Sequence, residues 1–200
     1  MKLGILALMN NIKNDLEYHE PLEYCNISSI HKKGRISVFD NYRGVFRVTV
    51  LRNMLDRLVY NDICQDIYTN LGDANVVCRK GRNIGDNLFV VNAVINSVSR
   101  EKEEPCDIAV YDIMKAFDSM WAEDCLNDLY DVGCVYDKLA LLEMVTKNSR
   151  VATKTSKRIK DRISIKNIIM QGTVAAGIQC TTSIDKLSKY SYENKPLLYM

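Results

Sequence analysis

The spacing of apolar residues predicts helices over much of the chain. Residues 1–18 carry apolar side chains near helical spacing, and Pro21 is expected to end this helix. Asp86 is placed to cap a helix whose apolar positions extend to Val98. Further helical patterns cover 51–67, 119–131, 137–147 and 173–189. Gly133 is expected to close the helix that precedes it.

Strand-like segments are short and alternate with these helices. They cover 25–30, 45–50, 108–111, 150–155 and 162–169. The run 108–111 follows the turn at Pro105 and ends at Asp112, so it predicts a buried strand with a carboxylate at its end. The last two segments predict a hairpin. No repeat or interdomain linker is visible, and the predicted fold class is α+β.

Charge is nearly balanced in the chain as a whole but is unevenly distributed. Among the 200 residues, 27 are basic and 25 are acidic. The segment 147–166 is strongly basic, with Asp161 as its one acid, and a second basic cluster contains Arg79, Lys80 and Arg82. Such clusters can neutralise nucleic-acid phosphates or form a solvated surface, and composition alone leaves both interpretations open.

The cysteines argue against a zinc site and for a reducing compartment. There are seven, and none forms a Cys-x-x-Cys pair. Free thiols are the simplest interpretation, which predicts an intracellular protein of the cytoplasm or nucleus. The apolar start, 1–9, is interpreted as a helix from the interior of a longer protein rather than a signal peptide. No membrane association is expected, because no segment has the length needed to cross a bilayer.

The position of Asp112 suggests a metal ligand. A carboxylate at the end of a buried strand requires a positive partner, and a divalent metal ion is one such partner. The alternative is that Asp112 caps the following turn or helix, which is the more frequent role for a single aspartate. One acidic residue does not separate these interpretations.

Four segments, taken in order, resemble the conserved boxes of non-LTR retrotransposon reverse transcriptases. The first contains Lys-Lys-Gly, Asn-Tyr-Arg and Leu-Asp-Arg-Leu; the second contains Arg-Lys-Gly-Arg; the third contains Tyr-Asp and Ala-Phe-Asp; the fourth begins with Gln-Gly. They lie at 32–58, 79–89, 111–118 and 171–174. The resemblance implies the fingers and partial palm of a right-hand polymerase. Residues 1–100 would form the fingers with N-terminal helices, and 101–200 a palm that ends before the Asp-Asp box, with no thumb.

The resemblance also implies a role for each matching residue. Asp112 would be the catalytic carboxylate, and it would bind Mg²⁺ together with the carbonyl of Ile113. The incoming nucleotide would be contacted by Lys32, Lys33, Arg43, Phe117, Gln171 and Gly172. Template phosphates would be contacted by Arg79, Lys80 and Arg82. The implied partners are an RNA template, a DNA primer and deoxynucleoside triphosphates.

One departure from the family pattern limits the expected activity. The chain contains no Asp-Asp pair, so one metal-binding carboxylate is present where the family uses three. We therefore expect a reverse transcriptase fragment that does not polymerise DNA by itself. The alternatives are a non-catalytic nucleic-acid-binding remnant or domesticated protein, and an unrelated α+β interaction protein.

Overall fold

The computed structural model describes residues 2–101, 107–153, 163–165 and 168–188. Within them the fold is α+β, with eight α-helices and four strands. The helices are α1 (Lys2–Asp15), α2 (Glu20–Glu23), α3 (Val50–Tyr68), α4 (Ile84–Glu101), α5 (Ala116–Ser119), α6 (Ala122–Asp131), α7 (Tyr136–Lys147) and α8 (Val174–Ser188). The strands are β1 (Tyr24–His31), β2 (Tyr42–Val48), β3 (Ser149–Thr153) and β4 (Ile163–Ile165). None of the described helices is both long and apolar enough to cross a membrane.

The four strands form one mixed sheet in the order β2-β1-β3-β4. The pairs β1–β2 and β3–β4 are antiparallel, whereas β1 and β3 are parallel. One face of the sheet packs into a small core that contains Cys25, Phe46, Val151 and Met170. Because side chains alternate between the two faces of a strand, the residues next to Phe46 on β2 point away from this core. The β2 strand lies at one edge of the sheet.

A larger core lies among the helices. In α3 the buried residues Leu55, Val59, Ile63 and Ile67 recur every four positions, which places them along one side of the helix. They belong to a cluster that also contains buried residues of α1, α6, α7 and α8. This stripe explains why the periodicity of residues 51–67 predicted the helix correctly.

A buried arginine joins α3 to two other parts of the fold. The side chain of Arg52 is 1% exposed, and its Nε lies 3.1 Å from Oδ1 of Asp56, one turn along the helix. Its other nitrogens donate to the carbonyls of Leu22 and Val145 and to the hydroxyl of Tyr18. The guanidinium therefore connects α3 to the segment before β1 and to α7. Burial raises the pKa of Asp56, although the guanidinium beside it acts in the opposite direction.

Most of the predicted elements are confirmed, including the hairpin strands β3 and β4, whose connection lies outside the described residues. The predicted strand at 108–111 is wrong. These residues have no regular secondary structure, and Val110 and Tyr111 are 79% and 83% exposed. No described strand pairs with them, and a local apolar run cannot form a strand without a neighbour to supply hydrogen bonds. Pro21 also differs from expectation: α1 ends at Asp15, and Pro21 lies in the first turn of α2.

Candidate nucleic-acid interface

The β1–β2 hairpin carries the most prominent group of free cations in the described structure. Lys32, Lys33 and Arg35 lie in its loop, Arg43 and Arg47 lie on β2, and all five side chains are exposed. The hairpin, from residue 24 to residue 48, contains a single acid, Asp40. That carboxylate is bound to Lys115 at 3.0 Å, so it does not neutralise the hairpin cations. The hairpin surface is therefore positively charged and suited to a polyanion.

Arg43 and Arg47 lie on the same face of β2. They are four residues apart in a strand, so both point away from the core that contains Phe46. Strand geometry puts their Cα atoms about 13 Å apart. Across the hairpin, Asn26 pairs with Arg47 and is exposed as well. Arg47 was not among the residues predicted from the sequence, since the strand was predicted at 45–50 and its extension to Tyr42 is what puts Arg43 on the same face.

The Gln171-Gly172 turn is fixed against the outer edge of β2. The main-chain N–H of Phe46 donates to the carbonyl of Gln171 at 2.8 Å. Gly172 has φ +110, and a Cβ atom on it would lie 2.7 Å from the carbonyl oxygen of Phe46 and 3.0 Å from Cγ1 of Val45. Only glycine therefore fits here without rearrangement. The turn lies beside the strand that carries Arg43.

The segment around Phe117 is attached to both of these regions. Phe117, on the short helix α5, is half-buried against a cluster that includes Ile169 and Ala176, which flank the Gln171-Gly172 turn. Just before α5, Nζ of Lys115 binds Asp40, in the turn that leads into β2. Three of the four segments of the resemblance are thus linked by direct contacts.

Asp112 and Ile113 lie in the exposed segment that precedes α5. Asp112 does not end a buried strand, because the segment 108–111 forms none. Within the described ranges, no three His, Cys, Asp or Glu side chains are grouped closely enough to hold a metal ion. The residues described do not fit a two-metal centre, since such a centre needs several hard oxygen ligands around each ion.

The second segment of the resemblance is bound to the end of α3. Arg79 donates to the carbonyls of Tyr68, Gly72 and Asn75 at 2.9–3.1 Å. This guanidinium therefore stabilises the loop after α3, a role that sequence analysis did not predict. Lys80 is exposed, and Arg82 lies 3.8 Å from the exposed carboxylate of Asp73. Nucleic-acid contact by Arg79, Lys80 and Arg82 stays a prediction.

The basic segment 147–166 is described only at its ends. Lys147 is paired with Glu143, and Arg150 lies 2.8 Å from Glu23. Residues 154–162, which hold most of its cations, lie outside the described residues. The prediction for this segment is therefore unchanged.

Buried thiols account for most of the described cysteines. Burial raises the pKa of Cys25, Cys125, Cys134 and Cys180 to about 11, and Cys78 alone among the described cysteines is exposed. A raised pKa keeps these thiols protonated and poorly nucleophilic. They are part of the packing rather than of a reactive site.

Comparison of the chain with protein-family models and with curated proteins gave no match. The family resemblance therefore depends on the four sequence segments, and the contacts among three of them are what the fold adds.

Proposed function

We propose that this chain is the fingers and first part of the palm of a reverse transcriptase of the non-LTR retrotransposon type. In this proposal it holds an RNA template, a DNA primer and the incoming deoxynucleotide. The observation that carries it is the hydrogen bond from Phe46 to Gln171, which positions the fourth segment beside the first. This contact supports the proposal because segments that bind one nucleotide together must lie close to each other.

The chemistry of the assembled side chains supports the proposal. Guanidinium groups bind phosphate oxygens with two parallel hydrogen bonds, and lysine adds a mobile point charge. Arg43, Lys32 and Lys33 offer both on one hairpin, and none of the three has an acidic partner among the residues that the structure describes. Gly172 leaves its turn free of a side chain, and Phe117 packs against the cluster that contains Ile169 and Ala176. A nucleotide between these segments would have its triphosphate near the cations.

Binding and catalysis are separate in this proposal. A complete enzyme of this type uses Mg²⁺, but the described residues do not fit a two-metal centre and the sequence has no Asp-Asp pair. We therefore propose that the chain binds primer–template without extending it. Incubation with primer, RNA template, Mg²⁺ and all four deoxynucleotides is expected to give no longer primer, and extension would overturn this part of the proposal.

The test of binding uses fluorescence anisotropy with a labelled DNA primer annealed to an RNA template. The wild-type chain should bind the hybrid, and Arg43→Ala should weaken binding. Arg57→Ala is the matched control, since Arg57 is an exposed arginine on α3, outside the hairpin. In Mg²⁺ buffer, the deoxynucleotide complementary to the next template base should slow dissociation in the wild type but not in Arg43→Ala. Absence of any hybrid binding would overturn the proposal and favour an unrelated interaction protein.

A second candidate function is non-catalytic binding of nucleic acid by a remnant or domesticated protein. The observation that favours it is the combination of five exposed hairpin cations with no three-residue metal cluster in the described ranges. It predicts similar affinity for hybrid and for single-stranded RNA, strong weakening with salt, and no effect of the complementary deoxynucleotide. The nucleotide effect on dissociation therefore separates the two functions.

A further inference from the structure

We propose that Cys78 and Cys64 form a redox-sensitive thiol pair, in which a hydroperoxide oxidises Cys78 and Cys64 then closes a disulfide. Cys78 lies in the loop between α3 and α4, and Cys64 lies on α3. Neither residue is assigned a part in the proposed function. The contacts that join the two cysteines, their different exposure and the backbone conformation of Cys78 support the pair.

Two tyrosine hydroxyls hold the loop of Cys78 against α3. Tyr60 and Tyr68 lie about two turns apart on that helix, and Cys64 lies midway between them on the same side. Their hydroxyl oxygens are 2.5 Å apart, so both rings lean toward the position of Cys64. The main-chain carbonyl of Cys78 accepts from both hydroxyls, at 2.6 Å and 3.3 Å. Cys64 also forms hydrogen bonds with the two hydroxyls, so both cysteines contact the same pair of groups.

The two thiols differ in exposure, which suits them to different steps. Cys78 is exposed, so a dissolved peroxide can reach it. Cys64 is 8% exposed and is largely protected from the oxidant. Burial raises the pKa of Cys64, and hydrogen bonds with the hydroxyls of Tyr60 and Tyr68 act in the opposite direction. Cys78 is therefore the thiol that is oxidised first, and Cys64 is the thiol that attacks the oxidised sulfur.

The backbone of Cys78 has an uncommon conformation that contacts on two sides maintain. Its φ is +53, in the left-handed region that residues other than glycine seldom occupy. Its carbonyl is bound by the tyrosines of α3. Its sulfur lies so close to α8 that a Cβ atom on Gly177 would come within 2.7 Å of it. A strained residue that is fixed between two helices in this way is a candidate for a function.

The chemistry needs one molecule of hydroperoxide for each disulfide. The Cys78 thiolate attacks one peroxide oxygen, the O–O bond breaks, and with hydrogen peroxide the departing hydroxide takes up the thiol proton as water. The product is a sulfenic acid on Cys78. The Cys64 thiolate then attacks that sulfur, the S–O bond breaks, and the departing hydroxide takes up the Cys64 proton as a second water. The two thiols are thus oxidised by two electrons and the peroxide is reduced to two waters.

The experiment exposes the reduced whole chain to hydrogen peroxide and maps its peptides by mass spectrometry without reduction. The wild type should lose about 2 Da, the mass of two hydrogen atoms, and give one crosslinked peptide pair that contains Cys64 and Cys78. Dithiothreitol should restore the original mass. Cys64→Ser should give no such crosslink and should instead gain about 16 Da for each oxygen added at Cys78.

Cys180→Ser is the matched control. Cys180 lies one turn along α8 from Gly177, so it is the other described thiol close to Cys78. This variant should form the crosslink as the wild type does. Tyr68→Phe removes a hydroxyl that holds Cys78 beside Cys64, and it should slow the crosslink without slowing the first oxidation of Cys78.

Three results would overturn the thiol pair. The first is a wild-type crosslink from Cys78 to a cysteine other than Cys64, or a crosslink that is lost in Cys180→Ser but kept in Cys64→Ser. The second is oxidation of Cys78 in the wild type to sulfinic acid with Cys64 still reduced. The third is a wild-type chain in which Cys78 is oxidised no faster than Cys125, which is buried.

Discussion

The main-chain N–H of Phe46 donates a hydrogen bond to the carbonyl oxygen of Gln171 across 2.8 Å. β2 is an edge strand, so this N–H points away from β1 and would otherwise be exposed. The bond closes part of that edge and holds the Gln171-Gly172 turn beside the arginines of β2. It also joins two segments that are far apart in the sequence, and the arrangement of the candidate site depends on it.

Replacement of Gly172 tests this junction. A Cβ atom at residue 172 would lie 2.7 Å from the carbonyl oxygen of Phe46, and the residue has φ +110. Gly81 is the matched control, because it has φ +79 but no atom within 4 Å of an added Cβ. Gly81→Ala should cost about 1 kcal/mol of unfolding free energy from backbone strain alone. Gly172→Ala should cost more, at least about 2 kcal/mol, since the clash with β2 is added.

Urea denaturation followed by circular dichroism measures both glycine variants. Gly172→Ala should also weaken hybrid binding under conditions where the chain is still folded. Gly81→Ala is a control for stability alone, because Gly81 lies between Lys80 and Arg82, which are predicted to contact template phosphates. Equal loss of stability in the two variants would show that the turn does not press against Phe46.

Arg52→Ala is the second test, and it addresses the core of the fold. The variant leaves Asp56 buried without its cation. It also removes one donor each from the carbonyls of Leu22 and Val145, which keep the hydroxyls of Tyr18 and Ser149. Breaking a buried ion pair by removing one partner costs about 3–5 kcal/mol. Arg57→Ala, five residues along the same helix but exposed, should change stability by less than about 0.5 kcal/mol. Equal urea midpoints for the two variants would contradict the structural role assigned to Arg52.

The sequence predicted those elements that are defined by their own pattern of apolar residues. The repeat of Leu55, Val59 and Ile63 defines a helix without reference to the rest of the chain. The run 108–111 has an equally clear local pattern, but a strand needs a neighbour, and the described sheet provides none there. The burial of Arg52 was not predictable either, because its acceptors belong to α7 and to the segment before β1, far away in the sequence.

The candidate site also combines residues whose placement could be predicted from the sequence with residues whose placement could not. The resemblance pointed to Arg43 and Gln171, and the structure places Gln171 against the strand that carries Arg43. It also pointed to Arg79, whose guanidinium is bound by three main-chain carbonyls. The sequence does not reveal which arginine side chains will donate hydrogen bonds to main-chain carbonyls, because any carbonyl can accept and the fold decides which ones lie nearby. The shared face of Arg43 and Arg47 was not predictable, because the predicted strand at 45–50 left out Arg43, whereas the strand in the structure begins at Tyr42.

Thiol reactivity provides a third prediction. Burial raises the pKa of Cys125 and Cys180 to about 11, so at pH 8 only about one in a thousand of these thiols is a thiolate. Their alkylation in the folded chain should be slow and should rise about tenfold per pH unit, with the slope continuing toward pH 11. Exposed Cys78 should react much faster at pH 8. Peptide mapping by mass spectrometry after timed alkylation measures each site, and uniform labelling of all three would contradict the burial.

The exposed segment before α5 leads to the last prediction, which concerns self-association. Val110, Tyr111 and Met114 are each about four-fifths exposed, and no described strand pairs with residues 107–113. An exposed apolar segment outside regular secondary structure offers side chains and backbone groups for pairing with another chain. The wild-type chain should therefore form larger species as its concentration rises, and Val110→Lys should suppress them.

Ile36→Lys is the control, because Ile36 is 75% exposed but lies in the basic hairpin loop. Light scattering over a concentration series measures the effect. If both lysine variants suppress association equally, added charge alone is the cause and the segment before α5 is not the pairing site.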